Sequence, residues 1–235
     1  MSFIKPVSGL SLGVLMLETR FPRMPGDIGN GETWPFPVQF KVVRGATPTR
    51  VVQQAAEGLL DPFIEAGREL ADLGVAGITT SCGFLALFQK ELAEALPVPV
   101  MTSSLLQVPM VEAMLPKGKR AGVLTYSAES LTARHLAAVG VAADTPVQGM
   151  PKGGAFFGHY NSEPRISTKE LLEQEVVAAA RELVARHPEV AAIVCECTNL
   201  PPHSRAIAEA VGLPVYDVIT MGRWFVQGLR PQAWG

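Results

Sequence analysis

Two stretches of this chain are versions of one another. Residues 75–82 read VAGITTSC and residues 190–197 read VAAIVCEC. In each, Val-Ala opens an apolar run, and a cysteine stands seven positions after the valine, at Cys82 and Cys197. The flanks repeat as well. Arg68-Glu69-Leu70 precedes the first stretch in a helical pattern, and Arg181-Glu182-Leu183 precedes the second. Each stretch is followed by a helical pattern and a Pro-Val strand start, at Pro97-Val98 and Pro214-Val215. Even the openings of the two halves match, as Gly13-Val14-Leu15 and Gly122-Val123-Leu124. A duplicated strand–Cys–helix unit predicts two similar lobes, because like units bury like surfaces. Each lobe then presents one thiol at the C-terminal end of a strand, on opposite sides of one cleft.

Along the chain, strand-length apolar runs alternate with helical patterns. Strands are expected at Leu10–Leu17, Val75–Thr80, Val98–Met101, Ala121–Thr125, Ala191–Val194 and Val215–Val218, with further ones at Val38–Val43 and Thr145–Gln148. Thr47-Pro48 and Asp61-Pro62 carry helix-start signals. Later helices are expected over Gly83–Ala95, Ser104–Leu115, Glu129–Val139, Thr168–His187, Pro202–Val211 and Met221–Leu229. The alternation predicts an α/β fold of two pseudo-symmetric lobes with mostly parallel sheets and an active site between them. The first lobe is expected to comprise residues 1–101 plus 219–235, and the second residues 102–218. Two stretches rich in Gly and Pro, Glu18–Ala46 and Gly149–Ser167, read as loops able to exclude water from the cleft.

Composition excludes several classes of function. The chain has 235 residues, 48% of them hydrophobic, and a net charge of −2 from 20 basic and 22 acidic residues. Its only compact basic cluster is Lys117–Arg120, so neither nucleic acid nor a membrane surface is an expected partner. No apolar run is long enough to cross a membrane. The N-terminal stretch reads as a first buried strand rather than a signal peptide, and a cytoplasmic protein is expected. Three cysteines make a poor disulfide framework and fit a reducing compartment. The four histidines are scattered, and no metal site is expected. The Gly149–Gly158 stretch lacks both the Lys-Ser/Thr of a P-loop and the G-x-G-x-x-G fingerprint, so no nucleotide cofactor is expected.

The chemistry is expected around the two repeated cysteines. Both are read as lying directly before a helix, whose free N–H groups suit a carboxylate and whose field favours thiolate. Thr80, Ser81, Gly83, Thr198 and Asn199 flank them as candidate substrate-binding residues. Thr125 and Ser127 either present hydroxyls to the cleft or form a simple turn before Glu129. Cys195, whose partner in the repeat is Thr80, is assigned no role. Arg20 and Arg23 are able to pair with a substrate carboxylate, but each by itself reads as a solvated loop charge. His203 reads as structural or exposed.

The paired cysteines, the duplicated halves and the Cys197-Thr198 dipeptide before a helix resemble the aspartate/glutamate/hydantoin racemase superfamily, over nearly the whole chain. The resemblance implies cofactor-independent racemisation. Cys82 and Cys197 then exchange the proton α to a carboxylate, one as base and one as acid, in a homodimer or higher oligomer. An Asp/Glu-type amino acid is the expected substrate. Two features differ from glutamate racemases: the long first loop, and Asn199 where those enzymes often have Glu or His. That loop resembles the algal dimethylsulfoniopropionate lyases of the same superfamily, so a lyase is the alternative, beside a maleate-type isomerase. The arylmalonate decarboxylase branch keeps only the second cysteine, and Cys82 argues against it. A non-catalytic two-lobed carboxylate-binding protein is the remaining alternative, and it has no need of matched thiols.

Overall fold

The structure, a computed structural model, describes residues 5–231; the outermost ends of the expected first lobe, 1–4 and 232–235, lie outside them. The strands are β1 (Leu12–Met16), β2 (Val38–Val42), β3 (Gly77–Thr80), β4 (Val100–Met101), β5 (Arg120–Thr125), β6 (Val147–Gly149), β7 (Val190–Cys195) and β8 (Val215–Tyr216). They form two four-stranded sheets of the same order, β2-β1-β3-β4 and β6-β5-β7-β8. Every pairing is parallel. The helices are α1 (Leu60–Leu73), α2 (Gln89–Ala95), α3 (Val108–Met114), α4 (Ala133–Ala138), α5 (Ala155–His159), α6 (Lys169–Arg186), α7 (Ser204–Val211) and α8 (Val218–Leu229).

The repeat extends to hydrogen-bond register. Gly13 lies opposite Ile78 and Leu15 opposite Thr80; Gly122 lies opposite Ile193 and Leu124 opposite Cys195. One residue on, Ser81 N–H donates to the Leu15 carbonyl at 2.9 Å and Glu196 N–H to the Leu124 carbonyl at 2.8 Å. Gly13 and Gly122 do the same work in each half. A Cβ on Gly13 meets Leu70 and Val75 at 3.1–3.2 Å, and one on Gly122 meets Leu183 and Val190 at 2.9–3.1 Å. The helices α1 and α6 therefore sit close on their sheets only because these strands carry glycine there.

In one place the register differs from the sequence-based alignment. Ile78 N–H donates to the Pro99 carbonyl and Ile193 N–H to the Pro214 carbonyl. The counterpart of Pro214-Val215 is thus Pro99-Val100, two residues beyond Pro97-Val98. The sequence LPVPV holds Pro-Val twice, and strand pairing selects the second.

Each half sends its last helix across to the other. After β4, the 3-10 turn Ser104–Gln107 packs on β7 and α3 packs on β5. After β8, α8 returns to pack on β3. A Cβ on Gly77 runs into Phe225 and Leu229 of α8, and one on Gly222 of α8 runs into Trp34. Trp34, Ile28, Met101, Met221 and Val226 form a small apolar cluster there, while one larger core runs continuously through both lobes. Asp217 starts α8. Its carboxylate accepts from Thr220 N–H at 2.8 Å and from Ser204 Oγ–H at 2.6 Å. Asp217→Ala is expected to cost about 1–2 kcal/mol, the usual loss for an N-cap. Urea unfolding checks this: the midpoint should fall with little change of slope.

The expected loops carry more structure than their composition suggested. Within 149–167, α5 forms because Glu175 of α6 accepts from the N–H groups of Ala155 and Phe156 at 2.7 and 2.8 Å. Within 18–46, Thr33, Trp34 and Asn30 bond back to Asp27, Ile28 and Arg23, which ties the loop into a compact lobe of its own. The helix expected from Glu129 begins only at Ala133, because Thr132 and His135 form a reciprocal cap.

Candidate active site

The carboxyl ends of β1, β3, β5 and β7 meet around a small cavity of about 40 Å³. Cys82 enters it from the first lobe and Cys197 from the second, each two residues beyond the last residue of its strand. Ser81, Gly83, Thr198 and Asn199 line it as well. The rest of the wall is largely apolar and aromatic, with Leu17, Phe21, Val52, Phe84, Tyr126 and Tyr160. Tyr126 stacks on Phe157 and donates its hydroxyl to the Phe157 carbonyl at 2.9 Å. Tyr160 meets Phe21 edge-on at 5.0 Å.

The lobes are stitched together at the thiols. Thr198 Oγ–H donates to the Ser81 carbonyl at 2.7 Å, and Ser81 Oγ accepts from Leu17 N–H at 2.8 Å. Ser104 Oγ–H donates to the Cys195 carbonyl at 2.6 Å. Asn199 Nδ2 donates to Asp27 at 2.6 Å, which leaves Asn199 Oδ1 facing the Cys197 thiol at 3.7 Å.

Three expected binding residues stand behind or beside this cavity rather than in its wall. Thr80 is fully buried and donates its hydroxyl to the Thr102 carbonyl at 2.7 Å. Thr125 is fully buried and donates to Glu196 at 2.6 Å. Ser127 is turned to Ser130, accepting its N–H at 3.3 Å, and belongs to a turn outside the cavity. Of the two arginines, Arg20 is exposed. Arg23 is not a solvated charge. It lines the cavity, pairs with Asp27 at 2.6 Å and lies 4.7 Å from the Phe21 ring centroid. Cys195 is fully buried and does not line the cavity. His203 is fully buried beside Phe156 and Glu173.

The expected helix N-terminus at each thiol is also corrected. Gly83–Phe88 is a 3-10 helix that gives way to α2 only at Gln89. After Cys197 a tight turn, Leu200 N–H to the Cys197 carbonyl, leads into the 3-10 turn Pro201–His203 before α7 begins. Such short turns carry little aligned dipole. Burial instead dominates both thiols and pushes them well above the usual thiol range, with the nearby Glu196 carboxyl adding to the rise. The Phe84 N–H and Arg23 oppose this at Cys82, as does the Asn199 N–H at Cys197.

Two site residues escaped the sequence reading. Glu196 is fully buried, lines the cavity beside both thiols, and is pushed up to about 7 by burial, against the Thr125 hydrogen bond. The available signal was a lone charge inside an apolar strand run, at the position Ser81 holds in the other half. Asp27 is fully buried and collects Arg23, Gly29 N–H and Asn199. Its signal was a turn aspartate followed by glycine two residues on. Among the described residues, no group of three His, Cys, Asp or Glu side chains is gathered to hold a metal ion. No described helix is long and apolar enough to cross a membrane.

No family model matches the chain. Curated proteins do. The dimethylsulfoniopropionate lyase of Durusdinium sp. clade D is 31% identical over 231 residues, which cover 93% of this chain and 74% of that protein. Dimethylsulfoniopropionate lyase 7 of Emiliania huxleyi is 32% identical over 230 residues, covering 93% and 67%. Among solved structures, the allantoin racemase of Klebsiella pneumoniae superposes with a TM-score of 0.64 at 14% identity, covering 94% of this chain and 87% of that one. Unliganded arylmalonate decarboxylase superposes with a TM-score of 0.62 at 15% identity, covering 96% and 94%. At such identities the superpositions speak for the fold, which is the one this racemase and the decarboxylase share. The sequence match is closer and runs through both repeats and both thiols, and by it the chain belongs to the family of the dimethylsulfoniopropionate lyases.

Proposed function

We propose that the protein is a cofactor-independent lyase that takes the proton α to the carboxylate of dimethylsulfoniopropionate and expels dimethyl sulfide. The observation that carries this reading is the match to lyases along 93% of the chain, together with two thiols in one cavity. The step balances without a further reagent. A cysteine thiolate takes the α-proton, the C–H electrons form the new double bond, and the C–S bond breaks with its pair on sulfur. The products are acrylate, neutral dimethyl sulfide and one proton held as thiol.

The chemical demands suit the cavity. An α-proton beside a carboxylate is very weakly acidic, so donors must meet the charge that grows on the carboxylate. The amides of Gly83 and Thr198, adjacent to the thiols at matched positions, are the candidates. The sulfonium of the bound substrate is a soft cation until the C–S bond breaks, and aromatic faces attract such cations. Phe21, Tyr126 and Tyr160 supply them. The test is direct: incubation with dimethylsulfoniopropionate in the presence of a chelator should release dimethyl sulfide and acrylate in equal amounts, read by headspace gas chromatography and proton NMR. No release at any pH would rule the lyase out.

A racemase of Asp/Glu type is the second reading, and the matched pair of thiols favours it. A two-base mechanism needs one thiol on each face of the carbon. Against it stands the charge of the site. A dicarboxylic amino acid brings two carboxylates, and among the described lining residues Arg23 is the one cation, already paired with Asp27. Exchange of the α-proton of aspartate or glutamate in heavy water, without dimethyl sulfide release from the sulfonium substrate, would select this reading.

A further inference from the structure

Glu196 lies against both halves of the site. Its backbone directly follows β7, yet its side chain lies against Gly83 of the first lobe. A Cβ built on Gly83 would stand 2.2 Å from Glu196 Oε1 and 2.4 Å from the Glu196 carbonyl oxygen, so Gly83 is what allows the carboxyl to lie over the Cys82 turn. One oxygen is satisfied, since Oε2 accepts from Thr125 Oγ–H at 2.6 Å. The other, Oε1, is buried without a hydrogen-bond partner. In the opposite half the same position is Ser81, an uncharged hydroxyl whose oxygen accepts from Leu17 N–H. The pseudo-symmetry is therefore broken at one atom group, and the break puts a titratable group between two thiols.

A buried cavity of this size does not hold two like charges cheaply. Unit charges a few ångström apart repel strongly where water is excluded. The groups facing the carboxyl are Cys82 from the first lobe, Cys197 beside it in its own turn, and Cys195 behind it. Further out, Arg23 faces Cys82 and is neutralised by Asp27, while Tyr126 and Tyr160 face Cys197. None of these supplies an unpaired positive charge to Glu196.

We propose that Glu196 is a positioning residue that governs the ionisation of both thiols: the cavity carries one negative charge at a time, and a thiolate forms at Cys82 or Cys197 only while Glu196 keeps its proton. A charged Glu196 holds both cysteines as thiols. Burial raises the Glu196 carboxyl out of the acid range to about 7. Only the consequence for turnover rests on the proposed lyase chemistry; the effect on the thiols is independent of any substrate.

The test is a thiol titration. Wild type and Glu196→Gln are alkylated with iodoacetamide across a pH series, and mass spectrometry locates the modified cysteine. The glutamine keeps the shape of a protonated carboxyl and removes its charge. The expected result is that the midpoints of Cys82 and Cys197 alkylation both fall by about one pH unit or more, about tenfold in thiolate population at a fixed pH. A variant that was merely loosened would react faster at every pH with unmoved midpoints, and that outcome would overturn the proposal, as would unchanged behaviour. Should Glu196→Gln fail to fold, infrared titration of the wild type decides. A buried protonated-carboxyl band that persists above pH of about 6 and disappears through neutrality supports the proposal, and its absence overturns it. Failure of the lyase assay with lowered thiol midpoints would strike the proposed function and leave this inference standing.

Discussion

Replacing the base thiol with serine is expected to lower kcat about 10²–10⁴-fold, the usual contribution of a positioned general base. Cys82 and Cys197 are the two candidates, because both reach the same cavity from matched strand ends. A serine hydroxyl keeps the shape, but its far higher pKa removes the base. The pattern of the two losses identifies the chemistry. In a lyase acting on an achiral carbon, one base suffices, so one of Cys82→Ser and Cys197→Ser should lose far more activity than the other. In a two-base racemase both abolish racemisation, while each variant still exchanges the enantiomer whose α-proton faces its remaining thiol. Cys195→Ser is the internal control. That residue is fully buried and its sulfur does not line the cavity, so it should be nearly neutral for chemistry. Steady-state rates of dimethyl sulfide release by the three variants measure all of this. An inactive Cys195→Ser beside an active Cys82→Ser would end the paired-thiol account.

Asp27→Ala is expected to destabilise the protein by about 3–5 kcal/mol, the range for breaking a buried ion pair from one side. The aspartate is fully buried and holds Arg23, the Gly29 amide and the Asn199 amide at once. Its removal leaves the arginine charge largely buried without an anionic partner. The loop from Thr19 to Phe36 is packed onto the second lobe through this residue and through Gly26, whose φ of +98° lets it pass beside Pro202. The effect should therefore extend to activity. Asn199 held by Asp27 turns its carbonyl to the Cys197 thiol, and a freed amide can flip. Urea unfolding of Asp27→Ala against wild type gives the stability change, and a loss below about 1 kcal/mol would show that the pair contributes little.

The duplicated unit makes much of the architecture legible in the sequence. Matching apolar runs at matching distances from Gly13 and Gly122 predict two like parallel sheets, because strands buried on both faces read as continuous apolar runs that the sequence displays directly. The position of each cysteine just past a strand end is legible for the same reason. The helical stretches after them were legible as apolar faces, but not as 3-10 turns. Periodicity locates a buried face without deciding whether the backbone bonds to the third or the fourth residue. The sequence alignment set Pro97-Val98 against Pro214-Val215, and the inter-strand hydrogen bonds move the match to Pro99-Val100, because a Pro-Val repeated two residues apart gives local pattern no means of choosing.

The chain by itself therefore determined the fold class, the internal symmetry and the pair of thiols. Only the tertiary structure decided the electrostatics of the site. Asp27 meets Asn199 across 172 residues, and Arg23 changes from a loop charge to a buried partner because of that meeting. Glu196 and Ser81 occupy one position of the repeat, yet one is a titratable group and the other a hydroxyl bonded within its own lobe. Whether a thiol ends raised or lowered depends on the sum of desolvation, nearby charge and donors around it. That sum belongs to side chains brought together from distant parts of the chain, and no local pattern carries it.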